Sequence, residues 1–181
     1  LELTPDGGAA ESAEPLATLL ARRRRLLLVG SAGGGKSWML RRLAREMAAQ
    51  LLGQADASES GLPEALRGRL PVLIRLGDWH DPGASLLELM QAALARSGQA
   101  ALFLDGVDGI PQLQRDEASG LVMDPRLGAI VALGERPEWQ GTLCVVSCWP
   151  GDATPALAWP RVELLPLSRA QVEQGAAVLL R

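Results

Sequence analysis

Five short apolar segments, rich in Leu, Val and Ile, recur along the chain without alternation of polar and apolar residues. They occupy residues 26–30, 72–76, 101–105, 143–147 and 162–165. Segments of this length that are apolar on both faces are typical of strands buried in a parallel sheet. The pattern therefore predicts five buried, mostly parallel strands.

Helical periodicity appears between these segments. A helix is predicted to begin at Lys36, because apolar residues then recur on one face, at Leu40, Leu43, Ala44, Met47 and Leu51. Further helices are predicted over residues 16–21, 85–97, 126–134 and from 168 onward, the second and last opened by capping sequences at Ser85 and Ser168. Strands that alternate with helices predict an α/β fold, a three-layer α/β/α sandwich around a mostly parallel five-stranded sheet.

The domain organisation follows from composition. Residues 1–15 are rich in Gly, Ala, Glu and Pro, which predicts a linker or disordered lead-in. Residues 16–181 are predicted to form one domain. Because that domain ends in the apolar run 176–180, we expect further domains of a longer chain.

Composition and charge exclude some classes of protein. The net charge is −3, which gives no general attraction to nucleic acid or to a membrane surface, and no apolar run is long enough to span a membrane. Cys144 and Cys148 lie four apart on one predicted strand, roughly 13 Å from each other, too far for a disulfide. Two buried thiols favour a reducing compartment, so we expect a cytoplasmic protein. The Arg-, Ala-, Leu- and Gly-rich composition is typical of a GC-rich, bacterial genome.

A glycine-rich motif joins the first predicted strand to the long helix. It has the form G-x-x-x-x-G-K-[ST] and consists of Gly30, Ser31, Ala32, Gly33, Gly34, Gly35, Lys36 and Ser37. Glycines leave backbone N–H groups free to surround a phosphate, and the N-terminus of the helix favours an anion. Lys36, the one lysine of the chain, is expected on the β- and γ-phosphates, and Ser37 on Mg²⁺.

An acidic motif, Asp105-Gly106-Val107-Asp108, follows the third predicted strand. Carboxylates at the carboxyl ends of parallel strands project into the crevice where such sheets bind ligands. We therefore expect Asp105 to be the second Mg²⁺ partner, opposite Ser37. Asp108 is the candidate catalytic residue that orients or deprotonates an attacking water.

These segments together resemble the NACHT family of STAND-class P-loop NTPases. The resemblance runs from about residue 24 to 175 and rests on four patches in the family's order, 27–44, 70–76, 101–108, and 144–150 together with 162–168. It implies an AAA+-like core with central strands ordered 5-1-4-3-2. It also implies ATP (possibly GTP) and Mg²⁺ as ligands, a nucleotide-controlled signalling and self-association switch, and helical and winged-helix regions after the core.

Two departures from the family pattern bear on catalysis. The family's acidic motif continues with a glutamate, where this chain has Gly109, and its fourth strand ends in T-S-R-P, where this chain has Trp149 in place of the arginine. A neutral indole cannot neutralise charge that develops on phosphate. Slow hydrolysis is therefore expected, and a non-hydrolytic nucleotide-binding scaffold is the alternative. A small-molecule phosphotransferase is disfavoured, because residues 150–160 contain no arginine for a lid.

Other residues that could suggest chemistry are interpreted as structural. His80 is the one histidine and is expected on the surface of a loop. Trp38, Trp79, Trp139 and Trp159 are expected to fill the core or hinges rather than stack on a base, whereas Trp149 is expected to face the nucleotide.

Overall fold

The structure is a computed structural model that describes residues 3–5, 14–54, 61–80, 99–110, 124–135, 141–150 and 157–165. Its strands are β1 (Leu3–Pro5), β2 (Arg25–Val29), β3 (Leu70–Arg75), β4 (Ala100–Asp105), β5 (Leu143–Cys148) and β6 (Arg161–Leu164). Its α-helices are α1 (Leu16–Arg23), α2 (Lys36–Leu51) and α3 (Pro125–Glu135). Short 3₁₀ turns occupy Glu64–Leu66, Leu76–Asp78 and Val107–Gly109.

The strands form one mixed sheet in the order β1-β6-β2-β5-β4-β3. All pairings among β2 to β6 are parallel, and β1 is antiparallel to β6. Numbered along the chain, the five parallel strands are ordered 5-1-4-3-2, as the family resemblance implies. The α/β class and the mostly parallel five-stranded sheet are therefore confirmed.

Alternate residues of the central strands face two separate cores. On one face, Leu26 and Leu28 of β2 pack with the buried leucines and methionines of α1 and α2. On the other face, Leu27 and Val29 pack with α3 through Leu127 and Ile130. The helices thus cover both faces of the sheet, and the central strands β2, β4 and β5 are apolar throughout most of their length because both of their faces are buried.

Several predictions are wrong in detail. Residues 3–5, predicted as linker, form the edge strand β1, because β6 offers them backbone partners. The outer strands are also less buried than predicted, since β3 is half-buried along most of its length and β6 alternates between buried and more exposed positions. Leu51, placed on the core face of α2, is exposed at the end of that helix. The predicted helices over 85–97 and from 168 lie outside the described residues.

Two other expectations concern the thiols and the membrane. Cys144 and Cys148 are both buried and free, as predicted. Within the described ranges, no helix is long and apolar enough to cross a membrane.

Candidate functional site

The glycine-rich loop lies between β2 and α2, at the carboxyl ends of the parallel strands. Gly33 and Gly35 have positive φ angles of 72° and 94°, which other residues adopt only with strain. Gly35 is the N-cap of α2, and it provides no side-chain hydrogen bond to the helix. The first turn of α2 also contains no acidic residue. The free N–H groups and positive dipole end of α2 therefore have no side-chain anion in that turn.

Lys36 folds back over this loop. Its Nζ donates to the backbone oxygens of Gly30, at 2.6 Å, and Ser31, at 2.8 Å. The side chain is only 8% exposed, and among the described residues it has no carboxylate partner. Carbonyl oxygens solvate an ammonium group but do not neutralise it, so Lys36 is a buried cation with no directly contacting carboxylate among the described residues, although Asp105 and Asp108 line the same cavity.

Asp105, at the end of β4, lies directly beside the start of α2. Its Oδ1 accepts a hydrogen bond from Ser37 Oγ at 2.9 Å and another from Ser147 Oγ at 2.8 Å. The structure therefore brings together Lys36, Ser37 and Asp105, as the sequence predicts, although Ser37 and Asp105 are far apart along the chain.

Asp108 lies in the 3₁₀ turn after β4 and bonds to the neighbouring loop. Its Oδ1 accepts a hydrogen bond from the backbone N–H of Trp149 at 2.9 Å. This contact ties the end of β4 to the end of β5. The Trp149 indole itself is 52% exposed.

These residues enclose a cavity of about 390 Å³. That volume is in the range of small-molecule sites, roughly 300–1,000 Å³. Its lining comprises the loop from Ala32 to Ser37, the acidic residues Asp105 and Asp108 with Gly106, and also Trp38, Arg41, Ser147 and Trp149. All predicted site residues from Ala32 onward line it, while Gly30 and Ser31 contact it through Lys36.

Trp38 is placed differently from the prediction. It is 53% exposed and stands between this cavity and a smaller groove of about 210 Å³ that begins at Pro15. Arg42 lies over its ring, 5.4 Å from the centroid. The expectation that Trp38 fills the core is wrong. Trp79 and Trp159, by contrast, pack against the core as expected, His80 is exposed, and Trp139 lies outside the described residues.

Cys148 lies beside the site without taking part in its chemistry. Burial, together with the negative charge of Asp108, raises the pKa of its thiol to about 11 against the opposing effects of Arg161 and Lys36. The thiol is therefore neutral at physiological pH and is not a nucleophile there.

The donor set fits a Mg²⁺ ion shared with a phosphate better than a metal held by protein alone. No cluster of three or more His, Cys, Asp or Glu residues that could hold a metal exists within the described residues. Ser37 and Asp105 offer one hydroxyl and one carboxylate at the edge of the cavity. Mg²⁺ commonly takes one or two such oxygens from the protein and completes its shell with phosphate and water.

Comparison with known proteins adds little to this geometry. No protein-family model matches the chain, and no curated protein matches it. Among solved structures, it is similar to the crystal structure of Saccharomyces cerevisiae RIF2, at 12% sequence identity and a TM-score of 0.47. The match covers 88% of this chain and 57% of the RIF2 chain. A likeness of this degree carries no argument about ligand or activity.

Sequence reasoning missed Ser147 as a residue of the site. At the end of β5, the sequence singles out only Trp149, as a departure from the family's pattern. A usable signal exists, because a polar residue near the end of an otherwise apolar parallel strand lies at the same edge as Asp105.

Proposed function

We propose that this chain binds a nucleoside triphosphate with Mg²⁺ at Gly30–Ser37, and that it acts as a nucleotide-controlled switch with slow hydrolysis. ATP is preferred over GTP on the family resemblance, since no described residue discriminates between the bases. Signalling through self-association and through other domains of a longer, cytoplasmic protein belongs to the same proposal.

The buried ammonium of Lys36 is the observation that carries this proposal. A positive charge with only carbonyl partners, at the head of a helix and beside a cavity, is stabilised by an anion. A triphosphate supplies several anionic oxygens, which can accept from Lys36 and from the free N–H groups of the first turn of α2. A single carboxylate would match this charge less well than a chain of phosphates.

Ser37 and Asp105 would hold Mg²⁺ beside the phosphates. When bound, the ion neutralises charge on the phosphate oxygens and fixes their orientation. Ser37 can donate its hydroxyl proton to Asp105 while turning a lone pair toward the cavity. Lys36 orients the phosphates, and the loop between Ala32 and Gly35 excludes water from one side of them.

Slow hydrolysis follows from the mouth of the cavity. By the family resemblance, Trp149, which lines the cavity, stands where the family has an arginine, and Gly109 stands where it has a glutamate. An indole cannot supply the cation that would stabilise the transition state. Asp108 already accepts from the Trp149 backbone with Oδ1, which leaves one oxygen to orient a water molecule.

Calorimetric titration with ATP, GTP and ADP in the presence of Mg²⁺ tests this proposal. We expect saturable binding of ATP, and slow appearance of ADP when the bound sample is followed by chromatography. If none of the three nucleotides gives heat of binding or competes with another for the site, the chain does not bind the proposed class of ligand.

A second candidate function is a scaffold that keeps ATP intact as a structural ligand, favoured by the exposed Trp149 at the cavity. It predicts a higher melting temperature with ATP and no product over hours. Single-turnover hydrolysis that is abolished in Asp108→Asn would exclude this candidate and support the switch.

A further inference from the structure

Ser147 occupies a fully buried position near the end of β5, beside Asp105 at the end of β4. The side chain is 0% exposed, at the penultimate residue of β5. Its Oγ makes two hydrogen bonds, one with Asp105 Oδ1 at 2.8 Å and one with the backbone N–H of Gly106 at 2.8 Å. It therefore contacts the carboxylate and the peptide unit that follows it.

The proton of this hydroxyl can go in only one direction. Gly106 N–H is a donor, so Ser147 Oγ must accept there. The one hydroxyl proton is then directed to Asp105 Oδ1, the other hydrogen-bond partner of Ser147. The two bonds are compatible only in this arrangement, so Ser147 is a fixed donor rather than a freely rotating hydroxyl.

The same oxygen of Asp105 also receives the Ser37 hydroxyl. With Oδ1 accepting from both Ser37 and Ser147, the rotation of the carboxylate is restrained from two sides. The sheet register maintains this contact, because Leu104 pairs with Val146 in parallel strands and the next residues along are Asp105 and Ser147. The carboxylate is therefore oriented by rigidly held neighbours before any ligand arrives.

We infer that Ser147 is a positioning residue for the divalent cation, acting through Asp105 and not on the nucleotide itself. The inference rests on the proposed function. Under this inference, the Mg²⁺ dependence of nucleotide binding depends on Ser147. Binding of metal-free nucleotide depends instead on Lys36 and the glycine-rich loop. Partners that orient a metal-ligating group commonly control metal affinity without contacting the metal.

The test compares ATP affinity at increasing free Mg²⁺, and in EDTA, for four forms of the 181-residue chain. They are the wild type, Ser147→Ala, Ser147→Thr and the control Thr142→Val. Thr142 is buried immediately before the other end of β5, so its replacement removes a buried hydroxyl from the same region without reaching the cavity. Melting temperatures without nucleotide report on folding.

The Mg²⁺ midpoint is the free Mg²⁺ concentration that gives half of the Mg²⁺-dependent increase in ATP affinity. For Ser147→Ala we expect this midpoint to rise about 10-fold, while the affinity for ATP in EDTA stays unchanged. Ser147→Thr keeps the hydroxyl and is expected to retain the wild-type Mg²⁺ midpoint, as is Thr142→Val. Should the threonine methyl lower the melting temperature, Ser147→Cys replaces it as the second variant. A thiol is a weak donor, so its Mg²⁺ midpoint is expected to rise as that of alanine does.

The outcomes separate the two proposals. If the wild type binds no nucleotide, the proposed function fails and this inference fails with it. If the wild type binds with a clear Mg²⁺ dependence and Ser147→Ala keeps the same midpoint, the inference alone is overturned. An equal loss of affinity with and without Mg²⁺ in Ser147→Ala would also overturn it, since that pattern indicates a general structural role.

Discussion

Two buried cations of this protein have opposite surroundings. Arg126, 2% exposed at the start of α3, forms a two-point ion pair with Asp124 through bonds of 2.8 and 2.7 Å, and it also donates to Trp79 O at 2.8 Å. Lys36, 8% exposed at the start of α2, has two carbonyl oxygens and an adjoining cavity.

The difference shows why burial of a charge does not by itself mark a functional site. The hydrogen bonds from Arg126 to Asp124 hold the pKa of the guanidinium above its usual range, against the effect of burial. That pair is complete and serves the fold, because it attaches the start of α3 to the turn after β3. At Lys36 no described carboxylate lies within ion-pair distance, and under the proposed function a ligand supplies that partner.

The largest effect on the free energy of unfolding is expected when the Asp124–Arg126 ion pair is broken. Asp124→Asn removes the negative charge and leaves the Arg126 guanidinium buried beside a neutral amide. The free energy of unfolding should fall by about 3–5 kcal/mol, measured by urea denaturation. The double variant Asp124→Leu/Arg126→Met should recover most of this loss. A loss below about 1 kcal/mol in Asp124→Asn would show that the pair is not a structural element.

Lys36→Met tests the other half of the comparison. The apolar stem is kept while the charge is removed, so ATP affinity should fall about 100-fold, roughly 2.7 kcal/mol. Without nucleotide, the melting temperature should stay the same or rise, because a buried charge without a counter-ion has been removed. A lower melting temperature with unchanged affinity would make Lys36 a structural residue like Arg126.

Cys144 is a third buried titratable group, and unlike the cations Arg126 and Lys36 it stays neutral. Burial raises the pKa of its thiol from 9.0 to about 12, despite the nearby positive charge of Arg25. At a pH between these two pKa values, the thiol is largely ionised in the unfolded chain and protonated in the folded one. The unfolded chain therefore binds fewer protons, and the free energy of unfolding falls as pH rises. At pH 10 this loss amounts to about 1 kcal/mol. The free energy of unfolding, measured from pH 8 to 10.5, should fall less steeply in Cys144→Ala than in the wild type.

The smallest effect is expected at an ion pair that water already screens. Arg42 and Glu46 form an exposed i,i+4 pair of 2.8 Å on α2. Glu46→Gln should change the free energy of unfolding by about 0.5 kcal/mol or less. This variant is the matched control for Asp124→Asn, since each removes one carboxylate from an arginine. Equal losses in the two would contradict the idea that burial makes the Asp124 pair costly to break.

Much of the site could be predicted from short stretches of sequence. The loop from Gly30 to Ser37 follows a strand and begins a helix, and both are local patterns that periodicity reveals. Asp105 was predictable because a carboxylate at the end of a buried parallel strand lies at the ligand edge of the sheet. The exposure of Trp38 was not, because it depends on how α1 lies beside α2 and leaves a groove between them.

The amino-acid sequence alone determined the alternation of strands and helices, the glycine-rich loop with its single lysine, and the acidic end of β4. These features depend on neighbouring residues and on helix and strand periods. Only the tertiary structure decided that Ser147 holds Asp105, that Asp108 holds the Trp149 backbone, and that Asp124 neutralises Arg126 while Lys36 has no such partner among the described residues. The first two contacts join residues about 40 positions apart, and they depend on strand register, which the packing of the whole sheet determines.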